Sequence, residues 1–212
     1  MNREPPPRII RIAFTFWFVT WVPIIVWAYG FQNFFWLCNV AQFIVLYAIW
    51  RPNALLVSSQ AGTVVLVGVV WALDLTLGLI AGDSVTGLTG YMFDPEIPLL
   101  ARLTSLYHIW LPFLMLWICW YNGYDNRGVW LQCVIGTLSI FGAWLWSEEE
   151  RNINFAFAPF HIEQTWMPHG IYLVLLSVGT ALVIYFPGHY LVRFILRRLP
   201  RRWGRRAVDA VN

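Results

Sequence analysis

Three residues set in apolar stretches carry side chains that could do acyl-transfer chemistry: Cys38, Asp74 and His108. A thiol attacks as its thiolate, an imidazole raises the thiolate fraction, and a carboxylate orients the imidazole. Helical rise puts all three at a similar depth below one membrane face. Asp74 lies roughly 9 Å below Ile80, His108 roughly 9 Å past Arg102, and Cys38 roughly 8 Å past Asn33. Asn39 and Gln42 add polar character beside Cys38, with Gln42 one turn along the same face. Arg102 and Ser105 stack on the His108 side of their helix. This pattern names Cys38, His108 and Asp74 as catalytic candidates and Asn39, Gln42 and Arg102 as candidate substrate contacts. Ionisable groups at membrane depth are costly and mark functional sites by default. The competing reading is packing: a buried Cys is most often a small inert hydrophobe, and an Asp–His pair can simply neutralise itself between helices.

The elements that must position these residues are membrane helices. Of 212 residues, 59% are hydrophobic and 12% charged, about half the charge of an average soluble domain. The apolar residues fall into six blocks, at Ile9–Tyr29, Phe34–Trp50, Ala54–Ile80, Ile97–Tyr121, Val129–Trp146 and Pro168–Tyr190. Each is near the roughly 20 residues that cross a bilayer. Only helices or closed barrels satisfy the backbone in lipid, and blocks this long are helices. The expected fold is an all-α, six-helix transmembrane bundle over residues 1–192, followed by a basic tail over 193–212. Pro23 is an expected kink in the first block. The N-terminal Arg3, Arg8 and Arg11 ahead of an apolar run resemble a signal sequence, but the run is long and rich in bulky aromatics, which favours a retained first span.

All 14 basic residues are Arg. With six crossings, one side collects Arg3, Arg8, Arg11, Arg51, Arg127, Arg193, Arg197, Arg198, Arg201, Arg202, Arg205 and Arg206, and the other only Arg102 and Arg151. The positive-inside rule makes the Arg-rich side cytoplasmic, with both termini there and the chain in the plasma (inner) membrane. The tail reads equally as a topology signal and as a patch for anionic lipid headgroups. The 3 Cys (Cys38, Cys119 and Cys133) form no disulfide or C-x-x-C framework, and Cys119 and Cys133 read as packing. The long outer loop, SEEERNINFAFAPFHIEQTWMPHG, is aromatic and is expected to fold back over the helix ends from Asn152 to Trp166. Its His161, Glu163 and His169 match no metal-ligand spacing, so no metal and no cofactor is assigned. No nucleotide-binding, zinc-protease or serine-hydrolase motif occurs, and no nucleic-acid partner is implied.

Four segments, FFWLCNVAQF, SLYHIWLP, RNINFAFAP and TWMPHGIYLVLLSVGTALVIYFP, give the chain a family likeness. It resembles the bacterial YwaF-like integral membrane proteins, which are similar to eukaryotic ether-phospholipid acyltransferases. That family pattern has a Leu-Cys-Asp opening one helix, an outer-half His on a later helix, an Asn-Tyr segment, and a Trp-led last helix ending in Pro. The resemblance implies Cys38 as acyl acceptor, His108 as its base, and Asn154 in the place of the Asn of the Asn-Tyr segment. Asn39 stands where the family has Asp, and Phe155 where it has Tyr. Two functions of different class follow. One is a lipid acyltransferase drawing on membrane lipids through a Cys–His pair in the outer half of the bilayer. The other is a non-catalytic subunit of a larger membrane complex with partner subunits, including one that holds haem, quinone or pigment. A transporter is disfavoured, because six helices show no internal repeat.

Overall fold

A computed structural model describes residues 5–160 and 162–200 of the chain. Arg3, His161, Arg201, Arg202, Arg205 and Arg206 lie outside the described residues. The chain runs α1 (Arg8–Tyr29), a 3-10 segment (Phe31–Phe35), α2 (Leu37–Trp50), α3 (Ala54–Ala81), α4 (Leu99–Asn122), α5 (Gly128–Trp146) and α6 (His169–Arg198). No strand occurs among the described residues. Five of the six helices are long and apolar enough to cross a membrane, and α2 is a shorter apolar helix of 14 residues. The protein is an all-α, multi-pass integral membrane protein.

Local sequence sets the ends. The Asn53 side chain accepts from the Leu56 N–H at 3.1 Å, capping α3. Gly82, at φ 90°, ends that helix in the left-handed region. Pro98 and Pro168 stand just before α4 and α6. Three features depart from the blocks read in the sequence. The second block opens as the 3-10 turn Phe31–Phe35, so α2 begins only at Leu37. A tight turn at Ser105 and Leu106 breaks α4 after its first 6 residues. The last helix passes through a π-turn at Ala181–Tyr185 and runs on to Arg198, past the expected end at Tyr190. Pro23 sits inside a continuous α1.

The long helix α3 is the hub. Residues 57–65 are all buried, and α3 packs against α2, α4, α5 and α6, while α1 lies at the edge on α2 and α4. Small residues permit the close approaches, as is general for helices in lipid. A Cβ at Gly128 would lie 2.7 Å from the Ser58 carbonyl carbon, and one at Gly62 would lie 2.8 Å from the His189 nitrogen. At Gly68 a Cβ would sit 2.8 Å from the His108 carbonyl oxygen, the acceptor that Pro112, lacking an N–H, leaves free in α4. The main core gathers Trp21, Val45, Ile49, Leu111, Met115 and Ile118. A smaller one joins Ile140, Ala143, Tyr172 and Leu173 to Ile153 and Ala156 of the loop between α5 and α6.

Candidate functional site

The side of the bundle opposite the termini holds the polar residues singled out above. On that side α2 is short. Fourteen residues rise only about 21 Å, short of the roughly 30 Å hydrocarbon core. The 3-10 segment and the α5–α6 loop lie over the end of α2 and complete that side of the bundle.

Cys38 opens α2 with its thiol 4.0 Å from the Asn39 carboxamide oxygen and beside the Tyr107 hydroxyl. Asn39 is buried; its Nδ2 donates to the Asn33 carbonyl at 2.7 Å and its Oδ1 accepts from the Tyr107 hydroxyl at 2.7 Å. Gln42, fully buried, accepts from Trp17 Nε1 at 2.7 Å. The expected grouping of Cys38, Asn39 and Gln42 therefore exists, with Tyr107 as the member that sequence reasoning missed. Tyr107 adjoins His108 and lies one turn before Leu111 on the buried face of α4, which is its only sequence signal.

His108 is stacked between Trp71 and Tyr107, at ring-centroid distances of 4.8 and 4.1 Å. Its Nδ1 lies 2.8 Å from the Ser105 carbonyl. A carbonyl only accepts, so Nδ1 carries the proton and Nε2 keeps its lone pair. Hydrogen bonds among the described residues join Cys38 to Asn39 and His108 to Ser105; none joins the thiol to the imidazole. Tyr107 touches both, by its hydroxyl and by its ring face.

Asp74 is buried and directed elsewhere. Oδ2 accepts from Ser84 Oγ at 2.6 Å, the Thr89 N–H at 3.0 Å and Thr89 Oγ1 at 2.6 Å, and Oδ1 accepts from the Thr86 N–H at 2.8 Å. The carboxylate thus holds the α3–α4 loop. The same loop takes a bond from Arg102 Nη1 to the Met92 carbonyl at 2.9 Å. Tyr91, in that loop, accepts from Trp71 Nε1 at 3.1 Å, and burial pushes its phenol well above the usual range.

The α5–α6 loop is tied down in the same manner. Asn154 Nδ2 donates to the Phe35 carbonyl at 2.6 Å, and its Oδ1 accepts from the Leu37 N–H at 3.2 Å, at the start of α2. Arg151 donates to the Tyr29 carbonyl at 2.6 Å and to Asn33 Oδ1 at 2.9 Å, and burial pulls its pKa below the ordinary value. His169 Nε2 donates to the Ala156 carbonyl at 2.9 Å. Asn152, Asn154, Phe155 and Phe160 all have positive φ, a conformation that persists in non-glycine residues only where surroundings enforce it. The loop folds over the helix ends through Ala156, whereas Phe160, Ile162 and Trp166 are exposed. Among the described residues no group of His, Cys, Asp or Glu could hold a metal. An open apolar groove of about 600 Å³ lies between α2 and α5, lined by Phe35, Val40, Ile44, Ile135 and Leu138. At 100° per residue Val40 and Ile44 lie on the side of α2 away from Cys38.

No protein-family model, curated protein or solved structure matches the chain.

Proposed function

We propose that this chain is a non-catalytic subunit that supports a larger complex in the plasma (inner) membrane. One observation carries the reading: the polar side chains on the side opposite the termini are braces. Asp74, Arg102, Asn154 and His169 each bond the backbone of a connecting segment, and Arg151 bonds the last carbonyl of α1, that of Tyr29. Beyond the braced part of the α5–α6 loop lies a surface where apolar residues face outward, Ile162 and Trp166 at 64% and 63% exposure among them. The Arg split orients that surface away from the cytoplasm. By the same split the end of α6, with Arg193, Arg197 and Arg198, would face the cytoplasm and meet anionic headgroups.

The test is a photo-crosslinking residue at Trp166 in native membranes. Capture of one membrane polypeptide of fixed mass, unchanged by Cys38→Ser and His108→Ala, is the expected result. A hydroxylamine-labile acyl group on Cys38 that disappears with His108→Ala would overturn the reading.

That outcome would favour acyl transfer, which the likeness to YwaF-like proteins implies and one observation supports: Tyr107 touches both Cys38 and His108. In that reaction the Cys38 sulfur, its proton passed to His108, attacks a lipid ester carbonyl. The alkoxide leaves with the proton, and an acceptor hydroxyl then takes the acyl group from the thioester. It requires a rearrangement that brings Nε2 to the thiol, since no hydrogen bond joins them among the described residues.

A further inference from the structure

A second polar cluster lies deep in the bundle toward the termini, and neither function uses it. Gln60 and Thr63 of α3, Gln132 of α5 and Tyr185 of α6 are 0%, 4%, 1% and 2% exposed. Gln60 Nε2 donates to Gln132 Oε1 at 2.8 Å and also to Ser59 Oγ at 2.8 Å. The reciprocal atoms, Gln60 Oε1 and Gln132 Nε2, have no partner among the described residues, and neither do Thr63 Oγ1 and Tyr185 Oη. Thr63 follows Gln60 by three residues and Gly136 follows Gln132 by four, so each pair shares a helix face. The Tyr185 hydroxyl packs directly on Gly136, where any Cβ would displace it. These relations bring the four unpartnered groups to the same junction of α3, α5 and α6. Tyr185 is also the last residue of the π-turn in α6, and π-turns in α-helices are frequent at functional positions.

We infer that this junction is an internal hydration site. The free groups are one pure acceptor (Gln60 Oε1), one pure donor (Gln132 Nε2) and two hydroxyls that do either. None of the four is ionised at neutral pH, so the set matches a small neutral ligand that both donates and accepts. Water is that ligand, and two to four protein partners are what a buried water takes. A cation would lack a carboxylate here, and an anion would lack a guanidinium. The water completes the amide pair that Gln60 and Gln132 half form, and bridges it to Tyr185. It thereby fastens α6 to α3 and α5 at the point where the π-turn interrupts the regular helix.

X-ray radiolytic footprinting of the full chain in lipid nanodiscs tests this, because radicals form from waters held beside a side chain even where bulk solvent is excluded. Met115, 0% exposed within the apolar core, is the dry control. Tyr185 is expected to be modified severalfold faster than Met115, and to carry ¹⁸O after brief mixing with labelled water. Gln132→Met should slow Tyr185 modification severalfold. Should that variant fail to fold, the wild-type comparison still decides. Tyr185 modified no faster than Met115 means the junction is dry, and the inference falls.

Discussion

Replacing Asp74 by Asn separates a structural carboxylate from a catalytic one. The carboxylate accepts four hydrogen bonds, three of them on Oδ2. An amide oriented with its oxygen in the Oδ2 position keeps those three as neutral bonds. Its NH₂ then faces the Thr86 N–H, which lies 2.8 Å from Oδ1, and two donors meet. A hydrogen bond to a charged group contributes about 1.5–3 kcal/mol, and an unsatisfied buried donor costs about 1–3 kcal/mol. Weakening of the remaining three adds to this, so the loss is on the order of 4 kcal/mol. For a chain of this length that corresponds to a fall in Tm of about 10 °C. The assay is thermal unfolding in nanodiscs, paired with limited proteolysis of the segment 82–98. Proteolysis should be localised there, because only that segment loses its anchor. Asp74→Ser, which removes the acceptor of all four bonds and leaves their donors unpaired, should be more damaging than the isosteric amide. A change in Tm below about 2 °C for Asp74→Asn, or cleavage no faster than wild type, would show that Asp74 is not a brace.

Asn154→Ala should lower stability by about 1–3 kcal/mol and expose the α5–α6 loop to protease, since it frees the Leu37 N–H and removes a donor from the Phe35 carbonyl; Asn154→Asp should rescue only the first of these bonds. Gly188→Ala should impair folding or yield in membranes, because its Cβ would collide with the Gly62 backbone; a normal yield and Tm would contradict the close α3–α6 crossing. Tyr107→Phe should cost about 1 kcal/mol by leaving Asn39 Oδ1 with only the weak Cys38 thiol as donor, and under the subunit reading it leaves partner crosslinking from Trp166 intact, whereas under the acyl-transfer reading it changes acylation of Cys38.

The helices were legible in the sequence because lipid imposes a length and an apolar composition that can be read residue by residue. Depth was legible for the same reason. Position around the helix axis was not. Cys38 and His108 do meet a common side chain, Tyr107, but the depth argument contained nothing to single out Tyr107. Asp74 shared their depth and faces the α3–α4 loop instead. The signal for that role was present in Ser84, Thr86 and Thr89, a loop rich in hydroxyl side chains directly after the helix that carries Asp74. The missed terminal-side cluster had a plainer sign: Gln60 and Gln132 are carboxamides inside apolar blocks, and a carboxamide there must find a partner. The late start of α2 was invisible because Phe34, Phe35 and Trp36 are as apolar as the helix that follows them.

That short helix accounts for the polar residues gathered at its own end of the bundle. Because α2 begins only at Leu37, the irregular backbone ahead of it must complete that span, and in a bilayer its free N–H and C=O groups would have little water to bond. Each exposed group must be met by a side chain. Asn39 meets the Asn33 carbonyl, Arg151 the Tyr29 carbonyl, Asn154 the Phe35 carbonyl and the Leu37 N–H, and Asn152 the Ala158 and Phe160 carbonyls. The α3–α4 loop is served in the same way by Asp74 and Arg102. Asn, Asp and Arg at membrane depth are also what a catalytic site would contain, so depth alone cannot tell the two apart. What distinguishes them is the identity of the bonded atom. Here the partners are largely loop backbone, and the polar side chains stand in for the water that the loops would otherwise need.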